Sequence, residues 1–241
     1  MSELAARPRM SGMDHCLPDN LHRLRAEMAA ACTACGRSAN DVTLVAVTKH
    51  AESTWVQRLV ELGVSDLAEN RPQQLLERAE QFPSEIRWHL VGHLQRNKVK
   101  QVLPRTVLIH SVDSLRLLTR ISEVAAELSL RPRVLLEVNV SGEASKDGLS
   151  ATELTSRWDV FQSVPHVDVV GLMTMAPLAD DPEAARPVFQ ELRQLRDHLA
   201  ARAAPHVKLT ELSMGMSGDF VVAIEEGATL VRIGSRLFEG L

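Results

Sequence analysis

Lys49 stands two residues beyond the apolar run Leu44-Val45-Ala46-Val47. An ammonium group at the end of a buried strand is costly unless it is paired, deprotonated or used covalently, so a Schiff-base amine is one reading of this position. The plainer alternative is a side chain that bends outward to solvent. A second cluster, Ser213-Met214-Gly215-Met216-Ser217-Gly218, brings small residues, hydroxyls and accessible backbone N–H groups together between a strand and a helix, which suits an anion. Gly234-Ser235 offers a similar turn further on; the alternative for both segments is a pair of ordinary turns. Arg232 lies just before that second turn. An ion pair with Glu225 or Glu226 would explain it in isolation, whereas beside an amine and an anion cradle it could face the nitrogen of a pyridine ring.

Other residues of reactive type are less telling. Cys32-Thr33-Ala34-Cys35 has CxxC spacing, but a zinc site needs two further ligands, and Cys16, His15 and His22 stand at no recognised spacing from it. No metal site is expected. Lys146, in the charged loop from Glu143 to Asp147, reads either as a solvent-facing side chain or as a second amine near the site. Asp180-Asp181 reads as charge at a helix N-terminus.

These groups need a scaffold that gathers them. An N-terminal helix is expected over 21–34, where Leu21, Leu24, Met28 and Ala31 recur at helical spacing and Gly36 follows as a stop. Strands are then expected at 42–47, 66–68, 88–91, 107–109, 134–140, 167–173, 208–212 and 229–233. Helical patterns alternate with them: 53–62, a segment around Leu75, Leu76 and Ala79, 95–102, one capped by Asp113 and carrying Leu117 to Leu128, 152–162, 184–203 and 219–226. Eight strands alternating with helices predict the α/β class and a single (β/α)8 TIM barrel with an extra N-terminal helix over 19–241, after a loose tail at 1–18. An open doubly wound sheet is the alternative, but the turn after the first strand, Val47-Thr48-Lys49-His50, lacks the glycines of a nucleotide-binding turn.

Barrels of this kind take their reactive groups from the C-terminal ends of strands. In chain order those ends offer Lys49, then Glu69 and Asn70, then Gly92 with His89 inside the third strand, then His110 and Ser111. Asn139, Met173 with Thr174, Ser213, and Arg232 with Gly234 and Ser235 complete the ring.

Composition narrows the partners. The chain has 241 residues, of which 45% are hydrophobic and 24% charged, enough to bury a full core. Lys and Arg total 27 against 31 Asp and Glu, for a net charge of −4, and aromatics are only 3%; both argue against nucleic acid as the main partner. Three cysteines, an odd number, do not form a disulfide framework and fit a reducing cytoplasm. No apolar run approaches the ~18 residues of a membrane span, and no secretory leader is evident.

The ordered motifs Leu44-Val45-Ala46-Val47-Thr48-Lys49, Glu69-Asn70, Trp88 to Lys98, Glu137-Val138-Asn139, Gly171-Leu172-Met173-Thr174-Met175, Leu212 to Ser217 and Val231-Arg232-Ile233-Gly234-Ser235 resemble the pyridoxal phosphate homeostasis proteins. That family has the fold of the alanine racemase N-terminal domain. The resemblance runs from about Leu21 to Phe238. It implies pyridoxal 5'-phosphate (PLP) held covalently on Lys49, with Arg232 facing the pyridine nitrogen. It also implies that Asn70, His89, Asn139 and Met173 line the site, and that Ser213, Gly215, Met216, Ser217, Gly234 and Ser235 surround the phosphate. The chain departs from the family pattern at Leu67-Ala68, Arg71, His93 and Gly218.

Arginine stays protonated and can only donate, so a ring nitrogen facing Arg232 must accept and remain unprotonated. The ring is then a weak electron sink, which disfavours carbanion chemistry and leaves exchange of the internal aldimine open. Two-domain racemases with a similar barrel set a tyrosine opposite the lysine, and this sequence contains no tyrosine and stops after the eighth unit. The leading expectation is a cytoplasmic PLP carrier and regulator rather than an enzyme. It would be monomeric, with a weak homodimer open, and would pass PLP to apo-enzymes. The rivals are a small PLP-dependent racemase using Lys49 with His89 or Lys146, and a barrel that binds another phosphorylated metabolite noncovalently.

Overall fold

The computed structural model describes residues 12–140 and 147–241. Helix α1 (Gly12–Ala34) precedes β1 (Thr43–Val47), α2 (Ser53–Glu61), β2 (Asp66–Glu69), α3 (Pro72–Gln81), β3 (Arg87–Leu90), α4 (Val99–Val102) and β4 (Leu108–Val112). Then follow α5 (Leu115–Leu128), β5 (Arg133–Glu137), α6 (Ala151–Ser156), α7 (Trp158–Gln162), β6 (Asp168–Met173), α8 (Arg186–Ala200), β7 (Glu211–Ser213), α9 (Phe220–Glu225) and β8 (Leu230–Ile233). Every strand pairs in parallel with its sequence neighbour, and β8 returns to β1 in the register Thr43↔Leu230 to Ala46↔Ile233. The sheet is therefore a closed eight-stranded barrel, as the alternation of elements predicted.

Side chains on a strand alternate between its two faces, and here that alternation sorts the apolar residues into two clusters. Val45, Ala68, Leu108, Leu135, Met173 and Leu230 form a small cluster of their own inside the barrel. Ala46, Leu67, Leu90, Ile109, Leu136, Leu172 and Val231 point the other way and join Leu59, Leu75, Leu118, Ile121, Phe189 and Leu192 of the helices in the main core. The inner cluster leaves much of the lumen to polar side chains, among them His89, His110, Ser213 and Arg232, all buried.

Several boundaries differ from the sequence expectation. Helix α1 begins at Gly12 rather than Leu21 and carries Pro18 inside it, a residue that reads as a stop but is accommodated. The cap of α5 is Ser114, whose hydroxyl accepts from the Leu117 N–H, and not Asp113. Only Val99–Val102 of the expected 95–102 helix forms, before a 3-10 turn at Pro104. The helix expected over 152–162 divides at Arg157, and β7 is shorter and later than expected.

Helix α1 does more than precede the barrel. Its Leu17, Leu21, Leu24, Met28 and Cys32 are buried in the main core, and the helix packs on α9. Asn20 Nδ2 donates to the carbonyls of Leu237 and Glu239, and Arg236 donates to both carboxylate oxygens of Glu27. The segment after β8 is thus fastened to α1. Among the described residues no helix is long and apolar enough to cross a membrane.

Candidate functional site

The C-terminal mouth of the barrel opens into a cavity of about 800 Å³. Of the residues singled out from sequence, Lys49, Asn70, Met216, Ser217, Arg232, Gly234 and Ser235 line it. His89, Asn139, Met173, Ser213 and Gly215 are not among its lining residues. Residues that were not anticipated also contribute: Trp55 and Phe238, stacked with centroids 5.8 Å apart, and Asp219, together with the segment from Met175 to Pro182.

Lys49 sits in the turn after β1 and is exposed, so the cost of burying an ammonium does not arise there. What singles it out is its place in the cavity wall. The backbone of its turn is held from below. Arg78 Nη2 donates to the carbonyls of Thr48 (3.3 Å) and Ala51 (2.6 Å), and Gln74 Nε2 donates to Lys49 O (3.1 Å). Arg78 in turn pairs with the fully buried Glu69, Nε to Oε1 at 2.8 Å, and Thr48 Oγ1 donates to the same oxygen at 2.5 Å. Burial raises the Glu69 carboxyl above the usual carboxylate range, against the pull of Thr48 and Arg78. Arg78 was missed from sequence; the available signal was an arginine on the same face of α3 as Leu75 and Ala79, where an amphipathic helix would place an apolar residue.

Gly92 brings the ends of β2 and β3 together. A Cβ there would lie 2.1 Å from the Asn70 carbonyl oxygen, so only glycine lets Asn70 reach the wall. The departures from the family pattern at Arg71 and His93 fall on exposed positions, with His93 facing Asp113 at 3.3 Å.

At the other side of the mouth, the loop after β7 takes its shape from two residues. Gly215 has φ +92°, and a Cβ there would meet Ala223 Cβ at 2.5 Å, so Gly215 shapes the loop against α9 rather than facing the cavity. The Asp219 carboxylate accepts from the Met216 N–H at 2.6 Å, so this amide, expected to be free for an anion, is already engaged. Burial raises Asp219 above the usual carboxylate range despite that bond. Among the described residues the backbone N–H groups of Ser217, Gly218 and Ser235 make no hydrogen bond within the chain, and all three residues line the cavity. They are among the donors available to an anion, as is the N–H of Gly234, which likewise makes no such bond and lines the cavity.

Arg232 rises from β8 into the floor of the cavity. It does not pair with Glu225 or Glu226, which bind Arg186 instead. Its Nη1 donates to Ser213 Oγ (2.6 Å) and its Nη2 to the Thr174 carbonyl (2.9 Å). A guanidinium has five N–H donors, so donors remain for a ligand. Burial lowers its pKa to about 10, with Glu137 and Asp219 opposing, and it is still a cation at neutral pH. Ser213 therefore supports Arg232 from beneath rather than meeting an anion. Met173 fills the barrel interior, and His89 is buried below the floor. Glu137, also unforeseen, has its carboxyl pushed up to about 7 by burial, then by Asp113 and Asp147, with Arg232 opposing. Lys146 lies outside the described residues. These residues contain no group of three or more histidine, cysteine or acidic side chains placed to hold a metal.

The profile of the alanine racemase N-terminal domain matches residues 20–240. A pyridoxal phosphate homeostasis protein of Aquifex aeolicus is 40% identical over 221 residues, covering 91% of this chain and 96% of its own length. One from Escherichia coli K12 is 31% identical over 223 residues, 91% and 94% of the two chains. The chain belongs to the pyridoxal phosphate homeostasis protein family. Within solved structures, the PLP-bound PipY protein of Synechococcus elongatus superposes with a TM-score of 0.80 at 30% identity, covering 92% of this family member and 99% of PipY. A crystal structure of a protein from Bifidobacterium adolescentis superposes at 0.89 with 34% identity, covering 98% and 100%. An alanine racemase from Clostridium difficile, at 0.73 and 18% identity, covers 92% of this chain but is itself covered over only 56%; it shares the barrel fold.

Proposed function

We propose that the chain binds pyridoxal 5'-phosphate in intracellular PLP homeostasis, keeps it covalently on Lys49, and yields it to other proteins without robust turnover. The observation that carries this reading is the composition of one cavity wall: a primary amine, a set of unengaged backbone N–H groups and a guanidinium with spare donors. Those groups match the aldehyde, the phosphate and the ring nitrogen of the cofactor in kind. When bound, the cofactor supplies an aldehyde that condenses reversibly with an amine, with loss of water.

The chain's own residues do the rest. Ser217, Gly218 and Ser235 would donate to the phosphate, Asn70 and Met216 border the ring, and Trp55 with Phe238 forms an apolar wall. Arg232, cationic at neutral pH, would donate to the ring nitrogen and keep it unprotonated, which leaves the ring a weak electron sink. That tuning suits storage better than turnover. A racemase would need a second base, and His89, the candidate inside β3, is buried below the floor. A closed barrel leaves no strand edge to pair with a second copy, which fits a monomer, and the three cysteines are free, as in a reducing cytoplasm.

Absorbance tests the reading. Added PLP should give the visible band of a lysine-bound aldehyde, and Lys49→Ala should abolish it; a band that survives in the variant would move the anchor elsewhere. Exchange of the α-proton of amino acids with deuterated solvent should stay at the background of free PLP. Exchange well above that background would make the protein an enzyme.

A further inference from the structure

Beneath Arg232, a line of hydrogen bonds crosses the barrel interior to its opposite rim. Ser213 Oγ lies 2.8 Å from His110 Nδ1, His110 Nε2 lies 2.9 Å from His89 Nδ1, and His89 Nε2 lies 3.0 Å from Asp66 Oδ1. Asp66 opens β2, at the end of the barrel away from the cavity. Ser213, His110 and His89 are all at most 1% exposed, so no solvent completes their bonding.

The chemistry of the end groups fixes the direction of this line. Arg232 can only donate, so Ser213 Oγ accepts from it and passes its own proton to His110 Nδ1. His110 then carries its proton on Nε2 and donates to His89 Nδ1, and His89 donates from Nε2 to the Asp66 carboxylate. Each donor has an acceptor. The reverse direction would leave the Ser213 proton without a partner and would set His89 Nε2 against Asp66 as two acceptors, unless His89 were an imidazolium or Asp66 protonated. Burial opposes the first, holding both histidines below their ordinary pKa. The second is opposed at Asp66: burial would raise its carboxyl, but His89 and then Arg87 hold it below the usual range.

Resting on the PLP reading above, we propose that His110 and His89 are positioning residues for the cofactor site: through Ser213, a one-way relay anchored on Asp66 holds the Arg232 guanidinium in place with its spare donors aimed into the cavity. Neither histidine lines the cavity, and neither would touch the cofactor. The Ser213 hydroxyl is the joint. With its proton committed to His110, its lone pair is presented to Arg232 in a single orientation; without His110 it is free to turn.

Two variants at one position separate positioning from packing. His110→Asn keeps an acceptor where Nδ1 stood but loses volume, whereas His110→Leu keeps volume without the acceptor. PLP affinity, read by absorbance titration, should fall by about tenfold or more in His110→Leu, the equivalent of one buried hydrogen bond, and should stay within about threefold of the parent in His110→Asn. The opposite order would assign His110 to packing and overturn the inference. Should His110→Leu fail to fold, nitrogen NMR of the unsubstituted, ligand-free chain decides: His89 and His110 must both be neutral with the proton on Nε2. An imidazolium or an Nδ1–H tautomer at either would refute the relay. Lack of PLP uptake by the parent chain would overturn the proposed function and this role together, whereas normal uptake with unaltered affinity in His110→Leu would overturn this role alone.

Discussion

The two rims of the barrel are built from the same eight strands and treat their polar groups in opposite ways. At the N-terminal rim the strands begin with charges that satisfy one another: Arg87 with Asp66 (2.9 Å), Arg131 with Asp168 (2.6 Å) and Arg133 with Glu211 (3.0 Å), where Thr229 also donates to Glu211 (2.8 Å). At the C-terminal rim the cavity wall carries small residues, an amine and a guanidinium, and donors are left over. A closed parallel barrel has no edge strand, so each rim's free groups are set by the residues at the strand ends and in the loops that join them. Surplus donors around a cavity mark a ligand end, and mutual pairing marks a sealed one.

The contrast can be broken at named places. The most complete loss is expected in ligand linkage. Saturating PLP should raise the melting temperature of the parent chain, by the equivalent of about 2.7 kcal/mol at a hundredfold excess over Kd, and should leave Lys49→Ala unmoved. A shift of equal size in the variant would detach Lys49 from binding. The largest expected loss of intrinsic stability is at the buried pair under the Lys49 turn: Arg78→Met strands Glu69 in the core and removes two bonds to the turn, so chemical denaturation should show a loss of about 3–5 kcal/mol.

The third test concerns Glu137, whose folded pKa near 7 stands above an ordinary value near 4.5. The unfolded chain gives up this proton first, so the folded state binds more protons between those values, and the contribution of Glu137 to stability falls as pH rises through that window. Glu137→Gln should match the parent below pH 4.5 and exceed it by about 3 kcal/mol above pH 7. Parallel stability curves across this range would contradict the assignment. The smallest effect belongs to the sealed rim. Arg131→Ala opens an exposed pair, and urea titration should register no more than about 1 kcal/mol, with PLP affinity unchanged. A large loss there would mean that the two rims do not differ as described.

The barrel was legible because strand and helix patterns alternate eight times, and the cavity wall was legible where residue type alone carries chemistry, as at Lys49, Arg232, Ser217 and Ser235. What stayed hidden depends on contacts between distant segments. His89 and Ser213 were recognised as polar groups within or at the end of their strands, but sequence does not say how deep in the barrel an inward side chain lies, so both were assigned to the cavity when they lie beneath it. Arg78 was masked by its helix, in which charged residues usually face solvent. Asp219 looked like the first residue of a helix, yet its carboxylate takes the Met216 amide that the loop pattern offered to an anion. The early start of α1 was hidden by Pro18, which ordinarily ends a helix.

The central claim is that one amine, placed where β1 empties into the open rim, holds the cofactor. The measurement that meets it most directly is intact mass followed by peptide mapping after the PLP-treated protein is reduced with borohydride. A single added reduced cofactor, carried by the peptide that contains Lys49, is the predicted result. An unmodified protein, or a label spread over other lysines with Lys49 untouched, would contradict it.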